Sequence, residues 1–233
     1  MEHKYTGIVL GKKDIGEADR LYTFYTLEQG KVKAIARGVR KSQAKLAGHL
    51  ENFCLVDFTV MKNRGMGNIA SAIVEENFSN IRNDFNVLNN IFGVFSDFDR
   101  LIDDEEEDKA NFSLLWSYLD ALNKNIEKHE ILTQGFLFKL FGSLGYGISS
   151  QCCVHCQEKI TDGENYFDYQ LSGISCAGCA KHLSNKTIIT SNTIKLVRIF
   201  ACNQMNSLVK LNVSEKDIND LRRLSGNFMK WLD

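Results

Sequence analysis

A chain of 233 residues with 44% hydrophobic and 24% charged content can bury a sizeable core, as one large domain or two small ones. Its formal net charge of -1 leaves no global attraction for nucleic acid, so any pull on an anion is local. The opening MEHKYTGIVLGKKD lacks the apolar core of a secretory signal, and no run of about 18 apolar residues occurs, which excludes a helical membrane span and leads us to expect a cytosolic protein.

The first 75 residues or so read as short strands. TGIVLGKKD is the first. Leu21 to Leu27 and Lys31 to Arg37 form the arms of a hairpin joined by Glu28-Gln29-Gly30, where Gly30 can take the positive φ of such a turn. FCLVDFTVM and NIASAIVEE are two further runs rich in β-formers, separated by NRGMG. Five strands in so short a span predict a small closed barrel of the OB-like kind. The chain has no proline, so its turns rely on Gly, Asn, Asp and Ser.

After residue 77 the period changes. Phe78, Ile81, Phe85, Leu88, Ile91, Phe92, Phe95 and Phe98 recur at three- and four-residue steps, which predicts one helix with a single apolar stripe. The acidic run Asp103 to Asp108 interrupts it. Phe112 to Leu122 and Ile131 to Leu144 predict two more amphipathic helices, the second closed by Gly145-Tyr146-Gly147 as a C-cap. Thr190 to Met205 is a further helix. The last begins at Ser214, with Asp217 completing a capping box, and carries Ile218, Leu221, Leu224, Phe228 and Trp231 as its stripe. The fold class is therefore α+β. The expected domains are the barrel over 1–78, a helical domain over 79–150, a cysteine-rich insertion over 151–182 and C-terminal helices over 183–233.

Five of the seven cysteines fall within 151–182. In a cytosolic chain they argue for metal or free thiols, not disulfides. Cys153-x2-Cys156, nineteen residues and Cys176-x2-Cys179 match the two-knuckle zinc pattern. Two thiolates separated by two residues in a tight turn both reach one ion at about 2.3 Å, and two such turns complete a tetrahedron. Four protein ligands leave no position for water, so one structural Zn2+ per chain is expected. Cys152 in place of Cys153 would give the less usual C-x3-C, while His155 and His182 stand beside the pairs as alternative ligands. Cys54 and Cys202, in apolar periodic segments, are expected to be small core residues.

Catalytic patterns are weak. Gly65 to Ala70 matches G-x-G-x-x-A but precedes a strand, not a helix. Ser42-Gln43-Ala44-Lys45 matches S-x-x-K without companion motifs. Neither cysteine pair has a redox context, the deaminase H-x-E is absent, and no Ser/His/Asp set appears. We therefore expect a protein that is not an enzyme.

Residues 31 to 46, KVKAIARGVRKSQAKL, carry Lys31, Lys33, Arg37, Arg40, Lys41 and Lys45 and no acid. On an extended strand Val32, Ala34 and Ala36 share the inner face, which leaves Lys31, Lys33 and Arg37 facing solvent, while Gly38 opens a loop with the other three cations. Cations that no acid relieves are best tolerated where an anion binds, and a phosphate backbone is the obvious one. Tyr22, Phe24 and Tyr25 flank the stripe, as stacking platforms or as core.

Barrel, helical domain, four-cysteine knuckle and final helices, in this order, resemble the RecO family of bacterial recombination mediators. Gly16-Glu17-Ala18-Asp19-Arg20 resembles its GE-x-D-R after the first strand. Gly30-Lys31-Val32 with Ala36 to Ser42 resembles its glycine turn and basic ARG segment. Phe138 to Tyr146, shortly before Cys153-Val154-His155-Cys156, resembles its last helix before the knuckle. The resemblance implies single- and double-stranded DNA binding through the barrel and annealing of complementary strands. It also implies loading of RecA, with RecR, onto DNA coated by single-strand-binding protein (SSB), whose acidic C-terminal tail the helical domain recognises. Such a protein works in the cytoplasm, at the nucleoid. Lys139, Arg222 and Arg223 are the candidate rim of a slot for that tail. The rival reading is a zinc-knuckle OB-fold protein that binds RNA or accompanies transcription.

Overall fold

The computed structural model describes residues 1–41, 46–62, 65–102, 107–183 and 186–232. These divide into two compact units, Met1–Lys124 and Asn125–Asp233.

In the first unit, β1 (Glu2–Ile15), β2 (Asp19–Thr26), β3 (Gly30–Ala36), β4 (Leu55–Met61) and β5 (Gly67–Glu76) form a closed barrel in the order β1-β2-β3-β5-β4. The long β1 serves two neighbours. Its first half pairs with β4, from Glu2↔Met61 to Ile8↔Leu55, and its second half with β2, from Gly7↔Thr26 to Ile15↔Asp19. A bulge between Val9 and Gly11 lets the strand bend from one partner to the other. The predicted hairpin is present, with Gly30 at φ 66°. Alternation sends Val9, Tyr22, Phe24, Ala34, Ala36, Val56 and Phe58 inward, with the Phe24 and Phe58 rings stacked at 4.0 Å.

The barrel closes on a narrow seam. β3 and β5 pair in parallel at only two positions, Ala34↔Gly67 and Ile35↔Asn68. Gly67 is required there, because a Cβ would collide with Cγ1 of Val60. The G-x-G-x-x-A segment thus leads from β4 into β5, and no helix follows it.

The stripe predicted over 78–98 is two helices, α1 (Ser79–Asn83) and α2 (Phe85–Leu101). Asp84 breaks it. Its backbone is extended, and its carboxylate accepts from the amides of Asn86 and Val87 as the N-cap of α2. The break resets the phase. Val87, Ile91, Val94, Phe95 and Phe98 are buried, while Phe85 points outward at 74% exposure. After α3 (Lys109–Lys124), Tyr25 packs edge-on against Phe98 at 4.9 Å, which joins barrel to helices within this unit.

The second unit is built around α4 (His129–Ser143), buried from Ile131 to Phe138. It ends as predicted. The amides of Gly145 and Tyr146 reach back to the carbonyls of Gly142 and Phe141, a Schellman cap. Three four-residue strands follow, β6 (Asn165–Asp168), β7 (Gly173–Cys176) and β8 (Lys186–Ile189), in the sheet order β7-β6-β8, with α5 (Ala177–Ala180) after β7. The sequence reading assigned no strands here. Then come α6 (Ser191–Cys202), α7 (Met205–Leu208) and α8 (Glu215–Leu232). Ser214 caps α8 in the predicted box, accepting from the Asp217 amide and donating to its carboxylate at 2.7 Å. Ile218, Leu221, Leu224 and Phe228 are buried; Trp231 keeps 38% exposure and stacks on Phe228. Cys54 is core as expected, but Cys202, at the C-terminal end of α6, is exposed. Among the described residues no helix is long and apolar enough to cross a membrane.

Candidate functional site

Lys33, Arg37, Arg40 and Lys41 are exposed along β3 and the loop after it, as the alternation predicts. Lys31 is not. It retains 9% exposure, and its ammonium donates to the Asp99 carbonyl at 2.7 Å and lies 3.5 Å from the Asp99 carboxylate. The cause is tertiary. The last turn of α2 lies over the outer face of β3 there, and a helix C-terminus offers partial negative charge to a cation. Lys31 therefore bonds the helix to the barrel. Lys45 and the rest of the S-x-x-K segment lie outside the described residues.

Arg37 and Arg40 are held in place. Arg37 donates from Nε to Asn68 Oδ1 at 2.9 Å, across the seam. Arg40 donates from Nη1 to the Gly16 carbonyl at 3.0 Å, and its Nε lies 3.3 Å from Asp14. Asp14 also accepts from Arg20 Nε at 2.6 Å. Arg20, with a smaller contribution from Arg40, holds the Asp14 carboxyl below its ordinary value. Asp19 accepts from the Gly38 amide at 2.7 Å, and the Arg40 amide donates to the Ala18 carbonyl. The GEADR turn and the ARG segment, twenty or so residues apart in the chain, are thus one clamped corner. A stretch free of acid in sequence has acids against it in space, Asp99 at Lys31, Asp19 at the Gly38 amide and Asp14 at Arg40, and Asp14 orients Arg40.

Tyr22, Phe24 and Tyr25 are fully buried, so the core reading is the right one and none of them offers a face to a base. Partly exposed rings stand elsewhere on the barrel. Beyond the two-residue seam β3 parts from β5, and a groove of about 300 Å³ opens between them. Lys33 and Lys62 line it with His3, Tyr5 and Met66, and among the described residues no acid does. Sequence reasoning passed over His3, Tyr5 and Lys62 because the groove gathers the ends of strands far apart in the chain; no local pattern marks it.

The second cluster is in the other unit. The sulfurs of Cys153, Cys156, Cys176 and Cys179 all lie within 4.8 Å of one another, Cys156 and Cys176 at 3.9 Å. Sulfurs about 2.3 Å from a shared ion would stand about 3.8 Å apart, so the set fits a tetrahedral thiolate shell with no open position. Cys153 and Cys156 flank a turn closed by the Gln157 amide on the Cys153 carbonyl, while Cys176 ends β7 and Cys179 sits in α5. Val154 donates to the Ile174 carbonyl at 2.9 Å and pins the first turn to β7.

The alternative ligands fall away. His155 turns its Nε2 to the buried Asp168 carboxylate at 2.8 Å, and neither Cys152 nor His182 belongs to the group. Burial pushes the Cys153 thiol up, but the amides of Cys156, Cys176 and His155 outweigh it and bring it down to about 6. Cys179, beside Cys176 and partly desolvated, is pushed up to about 12. One thiolate forms readily, and Cys156 and Cys179 then resist. A divalent cation at the centre would remove that resistance, so the donor set suits a metal better than four free thiols.

Two family descriptions match the chain: recombination protein O N terminal over residues 1–78 and recombination protein O C terminal over residues 98–232. The chain belongs to the recombination protein O family. The first match ends just past β5, so it spans the barrel. Curated relatives carry the name DNA repair protein RecO. The one from Dehalococcoides mccartyi strain 195 is 27% identical over 94% of this chain and 86% of its own. That from Desulforamulus reducens is 27% identical over 98% and 89%, and that from Listeria monocytogenes CLIP80459 is 29% identical over 90% and 81%. The OB-like barrel and the helical region with its four cysteines agree with the fold expected for the family.

Proposed function

We propose that this RecO-family chain is a non-enzymatic recombination mediator in the cytoplasm, at the nucleoid. It binds single- and double-stranded DNA through the basic edge of its barrel and anneals complementary strands. With RecR it helps load RecA onto SSB-coated single strands. The observation that carries this reading is the corner at which the GEADR turn holds Gly38 and Arg40, with Arg37 and Lys41 exposed on either side. Annealing needs a surface that neutralises two phosphate backbones without occupying the pairing edges of the bases, and fixed cations on a barrel wall meet that requirement. The metal is zinc, because an all-sulfur tetrahedral shell suits a soft-tolerant ion with no redox chemistry. Its role is structural.

For the SSB tail, Lys139 on α4 and Arg222 and Arg223 on α8 remain the proposed rim. Burial lowers the Lys139 ammonium from its ordinary value. Arg222 pairs with Glu130, and Arg223 with Asp220 at 2.9 Å. An acidic tail would have to compete with these partners.

The experiment that tests the function is annealing of complementary strands each coated with SSB. The chain should accelerate it by at least tenfold over SSB-coated strands alone. No acceleration, with the chain folded and binding DNA, would reject the mediator role.

A further inference from the structure

We infer that the groove between β3 and the start of β5 takes one unpaired nucleobase against the His3 and Tyr5 rings, with the flanking phosphates on Lys33 and Lys62. This rests on the DNA-binding reading above and names the part of DNA that the barrel recognises. The groove's volume, about 300 Å³, is at the small end of ligand clefts and suits a group the size of one nucleoside. Its polarity suits an anion, with two exposed lysines and, among the described residues, no acid on the lining. Its wall suits a flat π face. His3 and Tyr5 are two apart on β1 and share a side of the strand. Their rings are stacked within 12° of parallel, with centroids 6.2 Å apart, and Tyr5 is backed by Phe58 at 5.5 Å, so a base entering the groove would extend the stack from His3.

The wall is also rigid. β1 is paired with β4 from Glu2 to Ile8, and the Tyr5 hydroxyl donates to Gln29 Oε1 at 2.8 Å, which fixes its ring. A preformed aromatic wall beside paired cations is the arrangement by which small barrels hold single strands. A base paired in duplex cannot enter such a groove. The site therefore favours single strands, while the Arg37–Lys41 row, which meets only phosphates, serves either form.

The test compares two twelve-nucleotide strands with equal phosphate counts, an oligothymidylate and an abasic sugar-phosphate chain, by fluorescence anisotropy. The wild-type chain should bind oligothymidylate about 10-fold more tightly, within the range expected for stacking one base. His3→Ala should remove most of that advantage and leave abasic binding unchanged, and His3→Phe should restore it. Equal affinity of the wild type for both strands overturns the base site and leaves the phosphate row standing. So does an equal loss on both strands in His3→Ala. Binding to neither strand overturns the wider DNA-binding reading.

Discussion

Cys153→Ser should strip the second unit of its metal and unfold the knuckle around it. Cys153 is fully buried, and its sulfur accepts from the Cys176 amide at 3.4 Å. A serine hydroxyl in its place stays protonated and is a poor donor, which leaves three thiolates and an open position. Structural zinc contributes on the order of 10 kcal/mol to folding in small modules, comparable to a domain's whole margin of stability. Losing even part of it should melt residues 151–182, where the sheet strands are only four residues long. Metal analysis should find about one zinc per wild-type chain, little in Cys153→Ser, and the wild-type content in Cys152→Ser, whose thiol is outside the cluster. Freshly purified, unchelated protein without zinc would reject the metal. Zinc lost from Cys152→Ser and kept in Cys153→Ser would reject the ligand set.

Replacing Arg37, Arg40 and Lys41 together by alanine should weaken DNA binding evenly across sequences, because phosphate contacts carry no base information. Each contact on a single strand contributes about 0.7 to the slope of log K against log salt. The three together should lower it by about 2, so the affinity gap to wild type should shrink roughly 20-fold between 50 and 200 mM salt. Folding should survive. All three side chains are exposed, and the Arg40–Asp14 pair lies at the surface, where ion pairs contribute little. Zinc content should not change, since the cysteines belong to the other unit. Strand annealing should fall with binding.

The barrel was legible because its signals are local: a hairpin with glycine where φ must be positive, and alternation along each strand. The four-cysteine cluster was legible because ligand spacing fixes which turns can meet at one ion. What stayed hidden depends on distant chain. Lys31 reads as one more exposed cation until α2 covers it, with Asp99 arriving from 68 residues away. Asp14 lies outside the acid-free stretch in sequence and against Arg40 in space. Asp84 looks like one polar residue in an apolar stripe, yet as an N-cap it ends one helix and starts another. The strands of the second sheet are too short to display a period. The groove at His3, Tyr5 and Lys62 has no sequence signature, because the barrel's closure is what creates it.

The most direct test of the DNA-binding surface is a salt titration of wild-type and triple-variant binding to a single strand. Lys33, Arg37, Arg40, Lys41 and Lys62, about five contacts, predict a wild-type slope near -3.5 and a variant slope near -1.4. Equal slopes for the two proteins, or a wild-type affinity that salt does not change, would contradict the account.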